Sequence, residues 1–506
     1  MAGIRNASPT ANHPPEKGCS LRGNDYSPLA VMVRWMVILL AVVAFSGCAL
    51  VRPTNPYRSV QMQAPVAPGR SAGLSFGKQP EGPLDLSQAV EIALANNPDI
   101  AAASWDARAA HAQYDLAFGE RLPSLKAVGG YAHHNDGQRL IAARWNGEPG
   151  VFSRDIVSGD LVLTMPLFTG GRLLNQVRAA DLLQEAAEHR LARSREELIF
   201  NLSSVFFSIL AQKRLIESLE FSGQALEEHR KRVDALVAAQ KAAKVDRLRT
   251  EVRLADIRQR LVREENVMAI QHRALANLLG LENPAESLSL QGDLASEQKA
   301  SVPDFKTALA TAWSSRDDYL AARSTLEAQA RNVDAARAGH WPTVSLQGYY
   351  GGRWVAGPTI EPPTGSPTRS PDERTSDDIG RIGVAVEIPL FEGGRVHAKV
   401  WEQRARLAAA QERLRKIELQ IRLDVETALL NIHSSQERIE AIQKAVEQGQ
   451  ESLRIERQKY ELGKGAIVDV LDAQSALLES QTSYFRALAD FHTALAQLRL
   501  ATGEER

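Results

Sequence analysis

The sequence is short of several features that would place it in a common protein class. Its 60 Lys and Arg stand against 61 Asp and Glu, so it lacks the basic excess that nucleic-acid binding requires. Two cysteines cannot build a disulfide framework or a four-thiolate zinc site. No apolar run reaches the roughly 18 to 20 residues of a membrane-spanning helix. Aromatic residues make up only 6%, and the abundant Ala, Leu, Glu, Gln and Arg indicate long helices packed against each other.

Signatures of enzyme chemistry are also missing from the sequence. It contains no Gly-rich phosphate loop, no nucleophile elbow and no metalloprotease helix. Its 11 His form no recognisable metal-binding set with Cys or acidic partners. We therefore predict no catalysis, no cofactor and no metal site.

The N-terminal region carries an export signal. An apolar stretch at residues 35–45 follows a basic residue and precedes Ser46-Gly47-Cys48. This pattern is typical of a bacterial lipoprotein signal, in which the cysteine thiol is acylated; the alternative is an ordinary secretory signal with an incidental cysteine. We predict that residues 1–47 are a leader and signal peptide and that 48–83 are a tether anchored by lipid at Cys48. One acylated terminus attaches a protein weakly, so a second membrane contact is expected.

The rest of the chain is an internal duplication. The segment Pro166-Leu-Phe-Thr-Gly-Gly-Arg172 recurs as Pro389-Leu-Phe-Glu-Gly-Gly-Arg395, and Val245-Asp246 recurs as Val468-Asp469 at the same displacement. Such a constant displacement indicates two copies of one unit. We place the copies at residues 84–282 and 303–506, with 283–302 as a linker.

Each copy is predicted to run helix, strand, strand, helix, helix. One helix in each copy is unusually long, because an apolar-periodic segment continues without proline. The two shorter helices of a copy together match the long one in length, which indicates that they stack end to end alongside it. The long helices are predicted at 170–240 and 393–463, and the short ones at 87–120, 244–280, 303–340 and 466–502.

The strands alternate apolar with small or polar residues over about ten positions, the length and period of an outer-membrane strand. A small sheet packed on the helices is the alternative. Four strands cannot close a barrel, since roughly eight is the smallest number, and open sheet edges are not tolerated in lipid. Three copies of the chain would supply twelve strands. The strands are predicted near 124–133, 159–168, 343–354 and 381–390, joined by loops at 134–158 and 355–380.

With these motifs the sequence resembles the TolC-like outer-membrane efflux channel family. The resemblance rests on the duplicated Pro-Leu-Phe-x-Gly-Gly-Arg, on the segment Ala89–Pro98, and above all on the segment Tyr460–Ala473. It implies an α+β membrane protein: a homotrimer with a 12-stranded outer-membrane β-barrel continuous with a periplasmic α-helical coiled-coil barrel. It also implies partners, namely a periplasmic adaptor (a membrane fusion protein) and an inner-membrane pump of the resistance-nodulation-division or ABC type.

The turn between the last two helices is the predicted functional site. Gly463-Lys464-Gly465 breaks the helix, and Asp469 and Asp472 follow on one helix face. In a trimer they would form two stacked carboxylate rings, which favour cations; alternatively, they only complement the positive end of the helix.

The resemblance implies that these aspartates line a constricted end and that Tyr460 helps to hold it closed. Asp246, the first-copy equivalent of Asp469, is a further candidate for the closing network. The charged run Glu227–Val233 is predicted to be a solvated coiled-coil face.

Three functional hypotheses remain open from the sequence. The leading one is a passive exit channel in the cell outer membrane, lipid-anchored and extending into the periplasm, that serves a tripartite efflux system. The same residues fit the outer-membrane component of type I protein secretion. The third is a lipid-anchored periplasmic coiled-coil adaptor without a pore.

Overall fold

A computed structural model describes residues 82–141, 151–240, 243–281, 288–294, 302–355 and 379–504. The predicted signal peptide, Cys48 and nearly all of the tether lie outside these residues, as does most of the predicted linker. Within the described ranges, none of the helices combines the length and the apolar character needed to cross a membrane.

Among its described residues, the first copy contains four helices and two strands: α1 (Leu86–Asn96), α2 (Pro98–Gly119), β1 (Ser124–Ile141), β2 (Val151–Phe168), α3 (Arg172–Ala238) and α4 (Lys244–Leu278). The second copy repeats the order: α5 (Phe305–Ser315), α6 (Asp317–Arg337), β3 (Thr343–Val355), β4 (Ile379–Glu387), α7 (Arg395–Glu461) and α8 (Ile467–Thr502). A single 3₁₀ turn, Ala338–His340, follows α6.

The two long helices organise the packing. Helices α3 and α7 each contain 67 residues, which gives a length of about 100 Å at 1.5 Å per residue. Along α3 lie α2 and α4, and along α7 lie α6 and α8, so short helices do follow one another beside a long one. Both long helices begin after a glycine in the left-handed conformation, Gly171 and Gly394, the last glycines of the duplicated motif.

The prediction of single helices at 87–120 and 303–340 is wrong, because each is interrupted. In the first copy the chain is extended at Asn97, whose side-chain oxygen accepts the N–H of Asp99 at 2.8 Å. Pro98 explains the break, since a residue before proline is pushed out of the helical conformation and proline suits the first position of the next helix. The Asn97 amide also donates to the carbonyl of Leu278 at 3.0 Å, which attaches the break to the end of α4.

The second copy makes the same break without proline. Arg316 occupies the extended position and is only 2% exposed. Its guanidinium donates to both carboxylate oxygens of Asp318, at 2.8 and 3.0 Å, and to Asp424 on α7 at 2.7 Å. A buried charge needs such pairing to offset the loss of hydration. Arg316 therefore ties the α5–α6 junction to the long helix.

In each copy, the glycine that follows the last helix packs against the interruption between the first two helices. Gly280 and Gly503 follow the last helix of each copy in the left-handed conformation, with φ of +68° and +71°. A Cβ atom on Gly280 would lie 2.5 Å from the carbonyl oxygen of Asn96, and one on Gly503 would lie 2.8 Å from the Cα of Arg316. Only glycine satisfies both the conformation and the close approach.

The strands form one antiparallel sheet in the order β1-β2-β3-β4. Strands β1 and β2 are longer than predicted, because the polar segments at 134–141 and 151–158, assigned to a loop, continue the ladder. Strand β4 ends at Glu387, before Pro389, and not at residue 390. In the part of the chain that the structure describes, the outer edges of β1 and β4 pair with no other strand.

Glu196 on α3 is a buried carboxylate near the α5–α6 junction. One of its oxygens accepts a hydrogen bond from Arg193 at 3.0 Å, while the other is buried without a partner among the described residues. Burial raises the pKa of Glu196 to about 7, against the opposing effect of Arg193, and the carboxylates of Asp317 and Asp318 raise it further. The folded protein therefore holds a proton here that the unfolded chain releases near pH 4.5.

We expect this proton to make the stability fall as the pH rises. Between pH 4.5 and 7 the folded state binds more protons at Glu196 than the unfolded state, so the contribution of this carboxyl group to the free energy of unfolding should decrease by about 3 kcal/mol across that range. Glu196→Gln, which stays neutral, should remove this decrease. Glu197→Gln is the matched control, since Glu197 is also paired with Arg193 but is exposed.

Urea unfolding followed by circular dichroism at several pH values measures the difference. Parallel stability curves for the wild type and Glu196→Gln would contradict a raised pKa at this carboxyl group.

Candidate functional site

The turn between α7 and α8 has the geometry of a glycine-terminated helix. Gly463 is left-handed, with φ +70°. Its N–H donates to the carbonyl of Tyr460 at 3.0 Å, and the N–H of Lys464 donates to that of Lys459 at 2.9 Å. These two bonds form a Schellman motif, which satisfies the last carbonyls of the helix. Gly465 packs closely on α7, since a Cβ there would lie 3.0 Å from that of Lys459.

The two aspartates of the predicted site begin α8 and are both exposed. Asp469 is the third residue of α8, and its carboxylate accepts the N–H of the N-cap residue Ala466 at 3.3 Å, as the third residue of a capping box does. Asp472, one turn later, forms no hydrogen bond or salt bridge within the described residues. Both line a cavity of about 590 Å³ with Lys459 and Lys464. The capping contact thus involves Asp469 and leaves the carboxylate of Asp472 facing solvent.

Tyr460 lies at the end of α7, where it packs on an apolar cluster that includes Val233, Ile467 and Leu471. Its hydroxyl is buried and has no hydrogen-bond partner in the described ranges, so no bond to Asp246 is formed. Burial raises the pKa of Tyr460, and the negative charge of Asp246 raises it further. The structure therefore brings Tyr460 and Asp246 near enough to interact only through space.

Tyr460 also packs against the ring of His229 on α3, with ring centroids 5.4 Å apart. One turn further along α3, Arg232 pairs with Glu461 of α7 at 2.9 Å. Val233 is completely buried. The prediction of a solvated face at Glu227–Val233 is therefore wrong in part, because this segment contributes to the contact between the α3–α4 hairpin and the α7–α8 hairpin. The feature of the sequence that indicates this contact is the presence of His229 and Val233 within a run of charged residues.

The sheet presents two chemically different faces. The register pairs Leu125 with Leu163, Leu163 with Gly348, and Leu346 with Val384, so one face carries mostly apolar side chains across all four strands. Many of them are exposed, among them Leu125, Tyr131, Trp354, Ile382, Val384 and Val386.

The opposite face of the sheet is polar. Arg353 pairs with Asp160 at 2.8 Å, and the guanidinium of Arg381 lies 4.9 Å from the centre of the Tyr349 ring. An apolar face suits lipid and a polar face suits an aqueous lumen. The two faces are thus those of a membrane β-barrel wall.

Comparison with known proteins agrees with this architecture. The family model described as "Outer membrane efflux protein" matches residues 89–281 and 308–504. Outer membrane protein TolC of Escherichia coli is 24% identical over 436 residues, which cover 83% of this chain and 82% of TolC. The toluene efflux pump outer membrane protein TtgC of Pseudomonas putida is 24% identical over 477 residues, 88% of this chain and 90% of TtgC.

Solved structures show the same fold. The outer-membrane channel OprN superposes with a TM-score of 0.69 at 23% identity, covering 83% of this chain and 89% of OprN. CusC superposes with a TM-score of 0.70 at 20% identity, covering 85% of this chain and 96% of CusC. The predicted fold class, the α+β fold of outer-membrane efflux proteins built from a duplicated unit, is confirmed, with the first helix of each unit divided in two. The chain belongs to the outer membrane efflux protein family.

Proposed function

We propose that this chain is the exit channel of a tripartite efflux system, in which a trimer passively conducts substrates delivered by a periplasmic adaptor and an inner-membrane pump. The observation that carries the proposal is the four-stranded sheet, with its exposed apolar face and two outer edges unpaired within the described residues. Open edges are excluded from lipid, and four strands cannot enclose a lumen. Three copies joined edge to edge give twelve strands and remove every edge.

The helices support the same assembly. Exposed apolar side chains also lie on the helices, for example Leu116 on α2, Val252 on α4 and Leu430 on α7, each more than 60% exposed. Large exposed apolar side chains in this number are typical of a surface that another subunit covers. Packing of three copies would bury them and continue the barrel as a helical tunnel.

The membrane attachment in this proposal has two parts. The barrel forms the main contact with the outer membrane, as its apolar face requires. A lipid at Cys48 would add the second, supported by the signal pattern Ser46-Gly47-Cys48 in the sequence. Together they satisfy the expectation that one acylated terminus needs a further membrane contact.

The entrance of the channel is assigned to the tips of the hairpins. Asp469 and Asp472 are exposed at the start of α8, three residues apart. Three copies would bring six carboxylates around the opening, and a ring of acidic side chains attracts cations and disfavours anions. The capping bond at Asp469 does not remove the charge of its carboxylate, so both roles are compatible.

Single-channel recording in a planar bilayer tests two properties together: whether the protein forms a pore, and whether the aspartates at the entrance select cations. The wild type should form pores that prefer cations, and the double variant Asp469→Asn with Asp472→Asn should lower the cation-to-anion permeability ratio by roughly twofold or more, because six charges leave the opening. The matched control is Glu479→Gln, an exposed carboxylate on the same helix about 10 Å further from the tip.

Two outcomes would contradict these assignments. A purified protein that forms no pores would contradict the channel itself. If the double variant forms pores with an unchanged permeability ratio, Asp469 and Asp472 do not select ions. Their role would then be only to stabilise the start of α8.

A further inference from the structure

The two outermost helices beside the sheet are attached to its two edge strands. Helix α2 ends at Gly119, shortly before β1 begins at Ser124, and α7 begins at Arg395, shortly after β4 ends at Glu387. Between them α3 packs on α2, α6 on α3 and α7 on α6, in the same order as the strands β1-β2-β3-β4. When β1 of one copy pairs with β4 of the next, as the proposed trimer requires, α2 of the first copy is brought beside α7 of the second.

The packing within one copy shows which face of each outer helix is already occupied. On α2, Ile100 is buried, and the Nδ1 of His111 lies 3.1 Å from the side-chain oxygen of Gln184 on α3. On α7, the buried side chain of Gln403 accepts a hydrogen bond from Gln329 on α6 at 2.8 Å. These contacts define the inner face of each helix, and the opposite face is turned away from the rest of the copy.

The outer face of α2 carries one large aromatic side chain in a row of small ones. Trp105 comes five residues after Ile100, which is about 140° around the helix, and it is 42% exposed. The guanidinium of Arg108, on the same helix, lies 4.3 Å from the centre of its ring. The row follows the i, i+3, i+4 spacing of one helix face, and all its members are exposed: Ala102, Trp105, Ala109, Ala112 and Leu116.

The outer face of α7 has the same composition. Trp401 comes two residues before Gln403, which is about 160° around the helix, and it is 66% exposed. The row to which it belongs is again exposed and otherwise made of alanine: Ala398, Trp401, Ala405 and Ala408. Each outer helix thus presents a single tryptophan among alanines on the face that the next copy would meet.

The two tryptophans lie at different distances from the sheet. Trp105 is about 21 Å from the sheet-side end of α2, and Trp401 is about 9 Å from that of α7, at 1.5 Å per residue. On the same scale, Ala112 of α2 lies at about 10 Å and Ala408 of α7 at about 20 Å. With the sheet-side ends of neighbouring copies level, each indole therefore meets an alanine at its own height, and the two indoles do not collide.

We propose that Trp105 and Trp401 anchor the interface between neighbouring copies, with Trp105 packed on the alanines around Ala408 of the next copy and Trp401 on those around Ala112. Alternating large and small residues across facing positions lets two helices interdigitate. Tryptophan is also enriched among the few residues that carry most of the binding energy of an interface. The inference rests on the proposed trimer and names the residues that hold its helical part together.

Contact with lipid headgroups is the other common use of an exposed tryptophan beside a membrane barrel. The headgroup region is only about 5–8 Å thick on each side of a bilayer. Trp105 lies about 21 Å from the sheet-side end of its helix, which is too far for such a contact. The partner that fits both tryptophans is therefore a second copy of this chain.

Heat dissociation of the trimer in detergent, followed by gel electrophoresis, measures the strength of this interface. Trp105→Ala and Trp401→Ala should each lower the midpoint of dissociation by about 5 °C or more, because each removes an anchor from all three interfaces. Trp341→Ala is the matched control. Trp341 is 60% exposed but follows α6, between α3 and α7, so its loss should shift the midpoint by less than about 2 °C.

A swap of the large and the small residue tests the pairing itself. Adding Ala112→Trp to Trp401→Ala returns an indole to the same contact from the opposite helix, so at least half of the lost midpoint should be recovered. Adding Ala102→Trp instead places the indole in the same row of α2 but about 15 Å further from the sheet, where it should recover nothing. Circular dichroism confirms that each variant keeps its helices.

The proposal is overturned if Trp105→Ala and Trp401→Ala dissociate at the same temperature as Trp341→Ala, as they would if the indoles contacted lipid. It is also overturned if the swaps with Ala112→Trp and Ala102→Trp recover equally. A wild type without any trimer would overturn the exit-channel proposal together with this one, so the two failures are told apart.

Discussion

Replacing Val384 with arginine should prevent the protein from assembling in the outer membrane. Val384 lies in β4 on the apolar face of the sheet, opposite Leu346, and is 60% exposed. An arginine on the lipid face of a membrane barrel costs about 2–4 kcal/mol near the bilayer midplane. The proposed trimer carries the substitution three times, so the total of about 6–12 kcal/mol is comparable to the stability of a folded domain.

The neighbouring residue provides the control for this experiment. Ala385 lies next along the strand, opposite Ser345 on the polar face. Ala385→Arg adds the same side chain to the same strand, but directs it toward water. We expect heat-modifiable trimers in outer-membrane fractions of Ala385→Arg and none in those of Val384→Arg. Equal assembly of the two variants would mean that the apolar face does not meet lipid.

A single methyl group at Gly503 should destabilise the helical part strongly. Alanine in the left-handed conformation costs about 1–2 kcal/mol. Its Cβ would also lie 2.8 Å from the Cα of Arg316 and from the carbonyl carbon and oxygen of Ser315. These are backbone atoms, which cannot rotate away, so the α5–α6 junction must shift. We expect the free energy of unfolding to fall by about 3 kcal/mol or more.

Gly223 is the matched control for this substitution. It lies within α3, and a Cβ there would meet the Cγ2 of Ile257 at 3.5 Å, an ordinary contact. Gly223→Ala should be neutral or should stabilise the helix by up to about 1 kcal/mol. Thermal unfolding by circular dichroism compares the two variants. A Gly503→Ala protein as stable as the wild type would contradict the close packing at the junction.

The large elements of the fold follow from periodicity and repetition. The long helices were predicted at 170–240 and 393–463 and extend over 172–238 and 395–461, because the Gly-Gly pair and the tip turns mark their ends. Alternation located the strands for the same reason, since a barrel wall separates lipid from water at every second residue.

Local breaks and strand ends were less predictable. At Asn97 the apolar period continues across the break, so that only Pro98 indicates it. At Arg316 no proline marks the break, and one of the two partners of its guanidinium, Asp424, lies more than a hundred positions away. For residues 134–141 of β1 and 151–158 of β2 the sequence predicts a loop, because polar residues such as His134 and Asp136 hide the alternation there.

The residues of the candidate site were also predictable only in part. Gly463, Asp469 and Asp472 could be located from the sequence because they belong to one short segment. The partner of Tyr460 could not, because His229 comes from the other copy of the unit and lies in a run whose charges indicate a solvated helix.

The two copies differ in the residues that form the interruption between their first two helices. By the duplication, Arg316 corresponds to Asn97, Asp318 to Asp99, and Asp424 to Asn201. One half thus pairs a cation with two anions where the other has asparagine at two of the three positions. If sequence were exchanged between the halves, the buried guanidinium of Arg316 could face an amide in place of the Asp424 carboxylate. The buried ion pair would then be broken, which costs about 3–5 kcal/mol. We therefore expect recombination between the two repeats to yield destabilised proteins wherever it separates the members of one set.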